Sequence, residues 1–114
     1  MEHLVQTKIK PFVGKWSILE MEAWDREYVN MEVPGYFSFN KDGRGSFQFG
    51  LVRGEMDCRL ENVGGKARIE FSWEGQDELD PVNGRGWAVI EDEELRGRIF
   101  LHLGDDSGFR ATRS

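Results

Sequence analysis

The sequence predicts an all-β fold: a single up-and-down antiparallel meander of about eight strands closed into a small barrel, with a short N-terminal helix plugging one end. Three observations predict it. From Gly14 onward, apolar and polar residues alternate with period two in one run after another. Turn chemistry separates the runs at short intervals. The links also come in two alternating kinds, tight turns and longer acid-bearing segments, as the two ends of a meander would supply. Closing the meander removes the edges that a flat sheet would expose.

Each element follows in chain order. Leu4, Val5 and Ile9 sit near helical spacing, and Pro11 ends that run, so a helix is expected within residues 3–12. Gly14-Lys15-Trp16 opens the first strand, which runs to about Trp24. Trp16 and Ile18 share one parity and Leu19 and Met21 the other, so a bulge near the middle is expected. Residues 25–34 form a long link, partly extended through Tyr28-Val29. Strand two, Gly35 to Asn40, turns Phe37 and Phe39 inward. Lys41-Asp42-Gly43-Arg44 is a hairpin turn, because Asp-Gly tolerates the positive φ such turns need. Strand three turns Phe47, Phe49 and Leu51 inward, and Arg53-Gly54-Glu55 is a short link. Strand four alternates Met56, Cys58 and Leu60 with Asp57, Arg59 and Glu61. After the hairpin Val63-Gly64-Gly65-Lys66, strand five places Ala67, Ile69, Phe71 and Trp73 inside. Gly75 to Gly84 holds Pro81 and Asn83-Gly84 and reads as an irregular acidic link. Strand six holds Trp87, expected inside, and Val89. Glu91-Asp92-Glu93-Glu94 is a charged turn. Strand seven runs from Leu95 to Leu103. Gly104-Asp105-Asp106-Ser107-Gly108 turns into a last strand with Phe109 and Ala111 inside. So many inward rings predict a mostly filled interior.

The chain of 114 residues suits one domain, 1–114, divided into an N-terminal helical segment 1–13 and a barrel 14–114. A single cysteine, Cys58, excludes an internal disulfide framework and a cysteine-based zinc cluster. As an inner-face residue it reads as a small buried hydrophobe. Residues 1–12 lack the apolar core of a secretion signal, and no run approaches the roughly 20 apolar residues that span a bilayer. A cytoplasmic setting is expected. The net charge of -6 argues against nucleic acid and against anionic membrane as partners. It leaves a basic protein open.

Gly14-Lys15-Trp16 after a short helical turn resembles the calycins: lipocalins, fatty-acid-binding proteins and avidin-like barrels. The resemblance implies a barrel spanning residues 12–114, and it hints at ligand binding. It also implies that Trp16 packs across the closed end beneath Arg110 or Arg113. Trp24-Asp25-Arg26-Glu27-Tyr28 and Gly104-Asp105-Asp106-Ser107-Gly108-Phe109 resemble segments of small uncharacterised bacterial proteins, and that likeness implies no activity.

Strand parity gathers links 25–34, 53–55, 75–84 and 104–108 at the open end. The candidate binding rim is therefore Trp24, Asp25, Glu27, Tyr28, Arg53, Trp73, Asp77, Glu78, Asp105 and Asp106. Such carboxylates can hold a hard cation, act as an acid–base pair, grip a cationic partner beside aromatic faces, or simply keep the rim solvated. No cofactor, metal-ligand or catalytic motif is found. Gly43-Arg44-Gly45 and Gly84-Arg85-Gly86 precede no helix and are not phosphate loops. The expected function is a non-enzymatic binding module that takes a small ligand or a basic protein at this rim. The alternatives are a small enzyme using Asp77 or Asp105 as general acid or base, and a homo-dimer paired through outer aromatics such as Phe100.

Overall fold

The computed structural model describes residues 9–114. Eight antiparallel strands follow in order: β1 (Gly14–Met21), β2 (Tyr36–Phe39), β3 (Arg44–Phe49), β4 (Val52–Val63), β5 (Lys66–Asp77), β6 (Asp80–Glu91), β7 (Glu94–Leu101) and β8 (Asp106–Arg113). Each bonds to the next, and β8 returns to β1 with Trp16 opposite Arg113 and Met21 opposite Phe109. The barrel is closed, as the alternation predicts. The expected bulge is present: register shifts between Ile18 and Glu20, and this brings Trp16, Ile18 and Met21 all to the buried side.

One end is sealed by the segment preceding β1. Among the described residues it is a short 3-10 turn, Lys10–Phe12, with Pro11 near its start; residues 3–8 of the expected helix lie outside the described residues. Ile9 and Phe12 are buried. Trp16 Nε1 donates to Phe12 O at 2.9 Å. The Arg113 guanidinium lies 4.1 Å from the centre of the Trp16 ring and donates to the carbonyls of Val13 and Pro11. Of the two candidate arginines, Arg113 therefore covers Trp16, while Arg110 pairs with Glu20 and Glu94.

The interior is a connected file of rings. Trp24 packs on Phe49 at 4.8 Å, Phe49 on Phe47 at 5.8 Å, and Phe47 on Phe37 at 5.4 Å. Phe37 stacks on Phe109 at 4.3 Å, and Trp73 meets Phe47 edge-on at 5.0 Å. Phe71 joins Phe37 to Phe39 deeper in the barrel. Offset and edge-to-face contacts of this kind each add about 0.5–1.5 kcal/mol to the area they bury.

Rings of this size need small residues opposite them. A Cβ on Gly54 would stand 2.7 Å from the Phe47 ring and 2.8 Å from Trp73. One on Gly86 would enter the Phe71 ring, and one on Gly84 would run into the Phe100 carbonyl oxygen. This fixes the parity of β6 opposite to the sequence expectation. Gly84, Gly86 and Ala88 face Trp73, Phe71 and Ile69 in register. Trp87 points outward, half-buried, with the Arg68 guanidinium 4.9 Å from its ring.

Other boundaries also shift. The β3–β4 link is Gly50-Leu51 rather than residues 53–55, because Gly50 takes a φ of 57° and Val52 already pairs with Phe49. Leu51 thus leaves the inner face of β3. The supposed irregular link at 75–84 is continuous ladder: β5 and β6 pair through to Asp77 opposite Asp80, across the two-residue turn Glu78-Leu79. Ladder bonds and inward glycines overrule the local Pro81 and Asn83-Gly84 signals, so the two ends do not differ in link length throughout. Ala67, near the tip of the β4–β5 hairpin, is exposed. Strand β1 stops at Met21 and β7 at Leu101, where Leu103 with φ 57° turns the chain.

A methyl group at Gly84 has no space to enter, whereas Gly64 has nothing within 4 Å and costs only its φ of 61°. Urea unfolding should give a loss of about 3 kcal/mol for Gly84→Ala. It should give only about 1 kcal/mol for Gly64→Ala.

Candidate functional site

The second end of the barrel is lidded. The segment after β1 forms a short helix, α1 (Arg26–Val29), where partly extended chain is expected through Tyr28-Val29. Its cause is local: the Asp25 carboxylate accepts from the Tyr28 amide at 2.9 Å and caps the helix. The Leu51 amide donates to Tyr28 Oη at 3.2 Å, and the Gly50 amide donates to Val29 O at 3.0 Å. The Tyr28 ring lies where a side chain on Gly50 would stand. Val29 is buried, and Trp24 and Tyr28 pack half-buried against the core. Together these three side chains cover the mouth above Phe49.

The rim residues accordingly divide by role. Trp24, Asp25 and Tyr28 build the lid, with Glu27 exposed on the first turn of α1. Arg53, on β4, donates to Gln76 Oε1 at 3.1 Å. Asp77 ends β5 opposite Val52, and Glu78 occupies the turn with φ 61°. Trp73 is inside the barrel, 3% exposed, and donates its Nε1 to Phe100 O at 3.3 Å. Asp105 is exposed in the β7–β8 turn. Asp106 is held by Arg98, whose Nε and Nη2 reach one carboxylate oxygen at 3.0 and 2.8 Å. Among the described residues, no group of three or more His, Cys, Asp and Glu side chains is placed to hold a metal ion. No described helix is long and apolar enough to cross a membrane.

Charge on the outer wall is unevenly matched. Around β7, β8 and β1 the carboxylates are paired: Arg98 with Glu22 and Asp106, Arg110 with Glu20 and Glu94, Arg96 with Glu94. On β4 and β5, Glu55, Asp57 and Glu74 make no ion pair with a described residue, and Glu55 stands directly opposite Glu74. This wall also carries a shallow concavity. Its lining includes Glu55, Asp57, Ser72, Glu74, Arg85 and Phe100, the exterior of β4–β6 with the end of β7. Of the ten rim candidates only Trp73 contributes to it. Period-two alternation already turned Asp57, Ser72 and Glu74 outward, whereas Glu55, expected in a link at 53–55, proves to lie in the β4 ladder. What the sequence did not signal was the unbroken length of β5 and β6, which sets these residues side by side.

Among the described residues five titratable groups are displaced from their usual range, and hydrogen bonds to carboxylates raise two of them, Arg98 and Arg110. Burial, helped by the nearby charges of Asp57 and Asp42, pushes the Cys58 thiol up to about 12. A thiol so disfavoured as thiolate is a packing residue, not a nucleophile. Glu91 is held low by its hydrogen bond from Lys66, and Glu94 by its hydrogen bond from Arg110. Both shifts run opposite to what a general acid requires.

Comparison of the chain with protein-family models, with curated proteins and with solved structures finds no match.

Two outcomes follow from these contacts. Tyr28→Phe removes the acceptor for the Leu51 amide and should lower stability by about 1 kcal/mol, read by chemical denaturation. Because the Glu94 carboxyl sits below its ordinary 4.5 when folded, the unfolded chain takes up the proton first as pH falls. Its stabilisation is therefore complete above about pH 4.5 and is lost with acidification. Melting temperature should fall less steeply between about pH 5 and pH 3 for Glu94→Gln than for the wild type.

Proposed function

We propose that the chain is a non-enzymatic binding module on a calycin-like barrel, and that it meets a partner with its acid-rich exterior toward the lidded end. The observation that carries this reading is the filled interior. Rings run from Trp24 through Phe49, Phe47, Phe37 and Phe71 to Phe39, and both mouths are covered, by Phe12 and Trp16 at one end and by Trp24, Tyr28 and Val29 at the other. An eight-stranded barrel has room for side chains or for one small ligand, and here side chains take it. Gly14-Lys15-Trp16 beneath Arg113 supports the calycin-like part of the reading. The net charge of -6 supports a basic protein over an anionic polymer or membrane as partner.

Native mass spectrometry of freshly purified protein, followed by titration with a fluorescent fatty acid, tests the proposal. The expected spectrum holds the bare protein mass, and the fatty acid gives no saturable signal. A stoichiometric co-purified small molecule, or fatty-acid binding that Phe37→Trp abolishes, would overturn it in favour of a lumen site.

A further inference from the structure

We infer that the groove across the outer faces of β4, β5 and β6 docks an extended, lysine- or arginine-bearing segment of a partner protein. The inference rests on the binding-module reading and gives it a place and a chemistry. The floor is laid by pairing register. Asp57, Ser72, Arg85 and Phe100 stand in one row across four strands, and Glu55, Glu74 and Asn83 in the next. Both rows face outward, and their side chains are exposed except for half-buried Phe100.

Charge selects the occupant. Like charges directly opposite on neighbouring strands destabilise a sheet. Glu55 and Glu74 are such a pair, exposed and without a described cation within ion-pair distance, whereas the opposite wall matches its acids with Arg96, Arg98 and Arg110. A cation entering between Glu55 and Glu74 relieves that repulsion. Pro81 and Phe100, in the outward rows on either side of Glu74, offer apolar surface to other side chains of the segment. Arg85, in the same groove, offers guanidinium donors to the segment's carbonyl oxygens.

Shape argues for an extended chain. The groove follows β5 from Glu70 to Gln76. At about 3.3 Å per residue that is roughly 20 Å, the length of some six extended residues. Neighbouring strands already take the ladder bonds along this stretch, so recognition runs through side chains and not through strand addition.

Isotope-labelled protein titrated with octalysine, and separately with octaglutamate, at about 50 mM salt tests this by amide chemical shifts. Octalysine should move the Ser72, Glu74, Asn83 and Arg85 amides, and octaglutamate should not. Glu55→Gln with Glu74→Gln should weaken octalysine binding about tenfold. Glu61→Gln with Glu93→Gln, the same charge change away from the groove, should leave it unchanged. Octalysine shifts centred on Asp25, Tyr28 and Asp105 would overturn the groove and leave the binding-module reading standing at the rim. Binding of octaglutamate instead would overturn the basic occupant alone. Failure of both peptides would overturn the inference, while a small molecule retained in the native mass spectrum would overturn the reading beneath it.

Discussion

The cross-section of the lumen governs this molecule. Eight strands enclose a space little wider than the side chains that line it, and a file of aromatic rings from Trp24 inward to Phe39 occupies it. Close packing then leaves no freedom in what stands opposite. Phe47 and Trp73 fit because residue 54 is glycine, and Phe71 fits because residue 86 is glycine. The bulge in β1 serves the same end, since without it either Trp16 and Ile18 or Met21 would leave the interior. The lid belongs to this packing as well. Trp24 is the outermost member of the file, and Asp25 exists in its place to cap the helix that holds Tyr28 over Gly50.

An interior so occupied moves the question of recognition to the wall. There the protein is two-sided. Around β7, β8 and β1, arginines and carboxylates pair in two clusters, one about Arg98 and one about Arg96 and Arg110. Across β4 and β5, Glu55 faces Glu74, and a shallow groove runs over the outer faces of these strands. The asymmetry in charge and the asymmetry in shape coincide, and that coincidence is what supports the proposed docking on that wall.

Much of the fold is legible in the sequence, because period-two alternation and Asp-Gly or Gly-Gly turns are local signals. The strand count, the closed meander, the bulge in β1 and the inward set Phe37, Phe39, Phe47, Phe49, Phe71, Trp73 and Phe109 can all be read from it. What escapes is decided at a distance. Trp87 belongs on an inner face by its chemistry, yet the Phe71 ring on the neighbouring strand demands glycine there and sends Trp87 outward. Pro81 and Asn83-Gly84 signal a loop locally, yet pairing with β5 and β7 carries the strand through them. The candidate rim is legible only as a set of residues sharing one end. That Trp24 and Tyr28 are spent on closing the mouth depends on Phe49 and Leu51, which are remote in sequence.

The junction of β1 with β8 has a kinetic consequence. Arg113 donates to Val13 across 100 positions of chain, and Trp16 gains its cover only through that contact. Neighbouring hairpins can form early and locally, but the seam cannot, because its loop-closure entropy spans nearly the whole chain. During synthesis the first strand therefore waits with an unpaired edge, and the ring file stays wet, until the last strand arrives. Sheet edges and exposed rings are what chaperones and aggregates both capture. The seam that makes the finished barrel edgeless also sets the interval during which the unfinished one is most vulnerable.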